Sequence, residues 1–193
     1  MTQSISTRLA GVFLLGLAMG VAGCASKTRY GDARGVETVT NQFGSTDLQM
    51  IAESMTRSML NTPIASGETR PIMTVQEVRN KTSEYIDTRA ITDSIRVELQ
   101  KSGRVRFAVD AAEMNQQIEE LKRQQSDYYD AKKSTEVGKM VGAAYRIEGN
   151  ITSIVKEAKG VKDVYYKFSL QLWNIQNGLL EWADEKEIRK TTS

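Results

Sequence analysis

The last third of the chain constrains the fold most, because its apolar residues recur every second position. In "VYYKFSLQLWN", Tyr166, Phe168, Leu170 and Leu172 alternate with Lys167, Ser169 and Gln171. "AYRIEGNITSIVKEA" does the same through Tyr145, Ile147, Gly149 and Ile151, and "LLEWADEKEIRK" pairs Leu180 with Trp182. Successive strand side chains point to opposite faces, so this period predicts strands with one apolar face. "AKGVKD" and "IQNG" separate the three runs, and Asn177-Gly178 is a strong hairpin signal. An antiparallel three-strand meander follows, whose apolar face needs a cover.

The preceding residues supply that cover. "STDLQMIAESMTRSML" places Leu48, Ile51, Ala52, Met55 and Met59 on one helical face, with Thr46 and Gln49 in capping-box spacing and Pro63 beyond its end. Strand character is expected over Ile72–Val78, with "NKTSEY" as a polar loop. Asp87 or Thr88 caps a second helix striped by Ile91, Ile95 and Leu99, with Gly103 just past its end. A short strand over 105–109 leads to Asp110 and Glu113, which open a third helix with Met114, Ile118 and Leu121 inward. "STEVGKMVGA", with Val137, Met140 and Val141, is expected as a short fourth. Runs of helix ahead of runs of strand make an α+β domain: a small, mainly antiparallel sheet packed against about four helices.

The N-terminus carries a different message. A polar stretch with one charge, Arg8, precedes an uncharged apolar run from Leu9 to Ala22, which then closes on "VAGC". About 20 residues are needed to span a bilayer, so this run has signal-peptide length instead. An aliphatic and two small residues before Cys24 resemble a bacterial lipobox, whose cysteine is lipidated and becomes the mature N-terminus. Each buried CH₂ of an acyl chain contributes about 0.8 kcal/mol, and two or more chains hold a protein stably to a membrane. Cys24 is therefore read as an anchor, and Ala25 in place of aspartate points to the outer membrane. The expected organisation is a signal peptide over 1–23, a lipidated N-terminus and flexible tether over 24–44, and a globular domain over 45–193. Fully extended, that tether reaches about 70 Å.

Composition removes most chemistry. The chain has no histidine and, apart from Cys24, no cysteine, which excludes Ser-His-Asp and Cys-His nucleophile systems and zinc held by those ligands. Lys and Arg total 26 against 24 Asp and Glu, leaving no electrostatic footprint for nucleic acid. There is no glycine-rich phosphate loop. Glu181 and Glu185 share a strand face as a conceivable carboxylate pair for a wall hydrolase, but solvated strand charges explain them more simply. The expectation is a protein that is not an enzyme, with no cofactor, metal or small-molecule substrate. Tyr128 and Tyr129 stand in a charged loop outside any core stripe, and Trp173 faces away from Leu172. Aromatics of this kind serve as contact hot spots between proteins, the alternative being a loop folded back onto the domain.

The strings "VQEVRNKTSEYIDTRAITDSIRVELQKSGRVRF", "YRIEGNITS", "VYYKFSLQLWNIQNG" and "LLEWADEKEIRK" resemble the LpoB family of outer-membrane lipoproteins over roughly residues 45–190. The resemblance implies a fold like the N-terminal domain of TolB. It implies a partner, a class A penicillin-binding protein, whose glycan polymerisation and transpeptidation are stimulated by docking. The docking surface is expected on the loop Asn80, Lys81 and Thr82 and around Tyr128 and Tyr129. The family's best-known tether is long and proline-rich, whereas residues 25–44 contain no proline. An alternative role is a structural or assembly lipoprotein of a secretion or flagellar complex.

Overall fold

The structure is a computed structural model in which residues 28–193 are described. Cys24, the expected signal peptide and the first residues of the expected tether lie outside the described residues. Residues up to Ala33 form a unit of their own, and Arg34–Ser193 form the packed unit considered below. Its elements in chain order are α1 (Ser45–Leu60), α2 (Pro63–Ser66), β1 (Ile72–Val75), β2 (Arg79–Lys81), α3 (Thr88–Lys101), β3 (Arg106–Phe107), α4 (Ala111–Gln124), β4 (Tyr145–Ala158), β5 (Val161–Asn174) and β6 (Leu180–Thr192).

One mixed sheet runs in the order β3-β1-β4-β5-β6, with β2 also beside β4. The meander expected from the alternation is present: β4, β5 and β6 pair antiparallel, with Ile147 opposite Leu172 and Tyr166 opposite Ile188. Three short parallel ladders, β1–β3, β1–β4 and β2–β4, extend it on the other side. Ile51, Met55 and Met59 of α1 and Ile91, Ile95 and Leu99 of α3 share one buried cluster with Ile147, Ile151, Phe168, Leu170 and Leu172 of the sheet. Each such side chain taken fully out of water stabilises the fold by about 2 kcal/mol.

The expected strand over Ile72–Val78 is broken into two, for a reason of phase. Met73 and Val75 point into the core, so unbroken alternation would bury Glu77 as well. The chain slips by one residue after Val75, leaving Glu77 exposed and burying Val78. β2 then resumes against Asn150–Thr152, drawing Asn80 and Lys81 of the expected loop into a strand.

Helix starts follow their caps. Asp87 accepts from Ala90 N and Asp110 from Glu113 N, as their spacing predicts. α1 begins one residue before Thr46, with Gly44 as cap and Asp47 accepting from Gly44 N at 2.8 Å, so the expected pairing of Thr46 with Gln49 is replaced. α4 keeps Leu121 buried but leaves Ile118 exposed. No helix forms over 134–143: Gly138 has φ +82, a left-handed value that ends helices, and Val137 and Val141 are exposed.

Candidate partner-binding surface

Residues 35–44, assigned above to the tether, lie against the packed body. Glu37 accepts from Ser45 N at 2.8 Å, so its carboxylate sits at the start of α1, where free N–H groups and the helix dipole favour negative charge. Glu37 N in turn donates to the Thr46 hydroxyl at 2.7 Å. Lys190 of β6 donates to Gln42 O at 2.6 Å, and Phe43 meets the Tyr166 ring edge-on with centroids 5.9 Å apart.

Glu84 joins this anchor to the loop after β2. Its carboxylate accepts from Phe43 N at 3.1 Å and from the Tyr166 hydroxyl. Burial, reinforced by that carboxylate, pushes the Tyr166 phenol well above its ordinary value. Within the loop, Asn80 Oδ1 accepts from Thr82 N at 2.9 Å and from its hydroxyl at 2.8 Å, while Asn80 Nδ2 donates to Glu84 O at 2.8 Å. Asn80 and Thr82 thus shape a turn, and Lys81 and Tyr85 stand out from it, Tyr85 being 94% exposed. Tyr85 carries the same sequence signal as Tyr128, an aromatic among polar loop residues.

Tyr128 and Tyr129 are also exposed, in the long connection between α4 and β4. Ser134 and Thr135 close the base of that loop by hydrogen bonds to Gln124. No hydrogen bond or ring contact joins Tyr128 or Tyr129 to Asn80–Thr82 among the described residues. Trp173 is partly buried opposite Arg146 rather than free on the surface.

The carboxylates are occupied. Asn174 donates to Glu181 at 3.2 Å, and Lys167 pairs with Glu185 at 3.3 Å across the strands. A groove of about 800 Å³ lies beside the ends of β1 and β2, with Arg79, Arg89, Arg96 and Asp110 in its wall. Arg89 and Arg96 share Asp93, Asp110 and Glu113 there, so its charge is largely self-compensated. No group of three or more potential metal ligands occurs among the described residues.

The model of the peptidoglycan-synthase activator LpoB family matches residues 47–188. The chain belongs to the LpoB family. Among solved structures, the LpoB C-terminal domain from Escherichia coli is similar at 19% identity and a TM-score of 0.45, covering 74% of this chain and 98% of that one. The LpoB C-terminal domain from Salmonella enterica gives 15% identity, a TM-score of 0.45 and the same coverage. The PelC dodecamer from Paraburkholderia phytofirmans gives 12%, a TM-score of 0.36, and 63% and 73% of the two chains. Comparison with curated proteins finds no match. The family match spans α1 to β6 and so includes the loop Asn80–Thr82, Tyr85 and the loop of Tyr128 and Tyr129.

The anchor of residues 35–44 has a pH dependence of definite sign. Hydrogen bonds from Ser45 N and the Ser45 hydroxyl hold the Glu37 carboxyl below its ordinary range. A depressed carboxyl stabilises the docked segment above its unfolded value, and that contribution is lost as pH falls through the depressed one. The protection of the Ser45 amide relative to its intrinsic exchange rate is therefore expected to fall as the pH drops below the ordinary carboxylate range, and that of Glu37→Gln to show no such fall. An equal loss of protection in both would remove Glu37 from this role.

Proposed function

We propose that the protein is an envelope lipoprotein, anchored through Cys24 in the outer membrane, that binds a class A penicillin-binding protein and stimulates its glycan polymerisation and cross-linking. The observation that carries this reading is the family match over residues 47–188, which takes in nearly the whole packed unit. The chain does no chemistry of its own in this scheme. It favours the active conformer of the synthase by binding it more tightly than the inactive one, and the shift equals that difference in affinity.

The docked segment shortens the reach of the anchor. With residues 35–44 held against the body, the ten residues from Ala25 to Arg34 span at most about 35 Å, half of the expected tether. The synthase domain that is bound must therefore stand well out from the inner membrane.

The test mixes the full lipoprotein in detergent with the detergent-solubilised class A penicillin-binding protein of the same bacterium and follows glycan-strand synthesis. The expected result is saturable binding with a several-fold rise in polymerisation rate. Cys24→Ala should keep both in detergent while losing membrane retention in cells. Absence of binding and of any rate change with every class A synthase of that bacterium would overturn the reading.

A further inference from the structure

After Lys81 the sheet has an open edge. β2 accompanies β4 only over Asn150–Thr152, and the Asn80–Thr82 turn then bends the chain away. Ser153–Ala158 has β5 on one side and no strand of the described residues on the other. The backbone groups facing that edge can be identified. Gln76 N donates to Ile147 O at 2.8 Å from the β1 side. β4 and β5 hold one register from Tyr145 to Ala158, and backbone groups along a strand alternate between its two neighbours. Odd-numbered residues therefore face the β1–β2 side; the Lys81–Thr152 pairing takes up Ser153 N–H, so the open edge presents the C=O of Ser153 and both the N–H and C=O groups of Val155 and Glu157.

The side chains around this edge differ from those of an edge built to resist pairing. β6, the other long edge, interleaves Glu181, Asp184, Glu185, Lys186, Glu187, Arg189 and Lys190. A two-fold pairing of β6 with a second copy centred anywhere from Asp184 to Glu187 sets one charge against its own duplicate, a standard defence of edges. The β4 edge instead exposes Ile154 (58%) and Val155 (44%) together, with charge only after them at Lys156 and Glu157. Lys81 stands at its near end, and Lys159 and Lys162 lie at and beside the hairpin turn of its far end. None of these three lysines forms an ion pair among the described residues.

The geometry points to strand addition: the Ser153–Ala158 edge takes an extended segment of the synthase that is apolar at its centre and carries carboxylates toward its ends. This deepens the reading given under Proposed function and rests on it. Main-chain hydrogen bonds to Ser153, Val155 and Glu157 supply affinity, and Ile154 with the flanking lysines selects the segment. Asn80 and Thr82 keep the edge free by ending β2, and Lys81 meets the incoming acidic group.

Val155→Pro isolates the main-chain part. It deletes an N–H that points outward and leaves the bonds to β5, a placement edge strands tolerate. Lys81→Glu with Lys159→Glu, both on exposed residues, isolates the charge part and serves if the proline variant loses its circular dichroism spectrum. Affinity of the full lipoprotein in detergent for the solubilised synthase is measured at two salt concentrations, with sedimentation of the lipoprotein alone alongside. Val155→Pro is expected to weaken binding at least tenfold, and the double reversal several-fold with a smaller salt dependence. Binding within twofold of wild type in both variants overturns the edge proposal and leaves the proposed function standing. Absence of wild-type binding removes both. Self-association of the wild type that Val155→Pro abolishes identifies a second copy as the occupant and likewise overturns the proposal.

Discussion

Lys190→Met is expected to cost the packed unit about 3 kcal/mol, the low end for breaking a buried ion pair from one side. Lys190 reaches Asp47 at 2.5 Å, and Asp47 is fully buried at the start of α1. One carboxylate oxygen of Asp47 accepts from both Gly44 N and Lys190, and the other has no hydrogen-bond partner. Methionine preserves the packing of the aliphatic stem and removes the only cation paired with this carboxylate among the described residues, so the charge is left buried without compensation. With a urea slope of about 2 kcal/mol/M, the midpoint should fall by about 1.5 M. Asp47→Asn added to Lys190→Met should recover part of that loss, because the amide oxygen can still accept from Gly44 N and no charge remains stranded. The two changes should then be non-additive by 1 kcal/mol or more, on the order seen for residues in direct contact. A loss below about 0.5 kcal/mol for Lys190→Met, the scale of an ordinary surface change, would mean that water reaches Asp47 freely. The same pair carries functional weight, since Lys190 also holds Gln42 O and so fixes where the anchor segment leaves the body.

What could be read from the sequence divides along the range of the interactions. The faces of α1 and α3 and the alternation of β4, β5 and β6 are local periodicities, and they appear in the structure as written. The slip between Val75 and Val78 is not local: it is decided by which residues the core of β4 and the helices will accept, and only the charge of Glu77 hinted at it. The docking of residues 35–44 was illegible for the same reason. Their partners Tyr166 and Lys190 lie 125 and 148 positions away, and no local pattern marks a segment held from that distance. At the candidate surface, the polar loop around Asn80 could be located from its composition, and Tyr85 was available by the reasoning applied to Tyr128. The open edge of β4 could not be found, because it is defined by where β2 stops, and that is a property of the assembled sheet.

Gly149→Ala tests whether this sheet tolerates any adjustment at its centre, and it is expected to cost about 3 kcal/mol, the upper part of the range for overpacking. Gly149 lies between Ile147 and Ile151 on the core side of β4, opposite Leu170. A Cβ there would stand 2.1 Å from Ser169 O and 2.7 Å from Leu170 Cδ2. Leu170 could rotate away, but Ser169 O belongs to the backbone of β5, which is laddered on both sides and cannot retreat without opening its own bonds. The melting temperature should therefore drop by about 10 °C, taking 2–4 °C per kcal/mol for a domain of this size. Gly178→Ala is the contrasting control. Its φ of +72 strains any side chain, yet nothing lies within 4 Å of the added carbon, so about 1 kcal/mol is expected. If the two variants melt together, β5 yields to the added carbon, and close approach does not set a requirement for glycine in β4, since Gly149 has no left-handed φ to strain. If Gly149→Ala alone collapses, the alignment of β4 with β5 depends on that contact. The Ser153–Ala158 edge lies beyond it on the same ladder, so synthase binding should then be lost in this variant at temperatures where the rest of the fold survives.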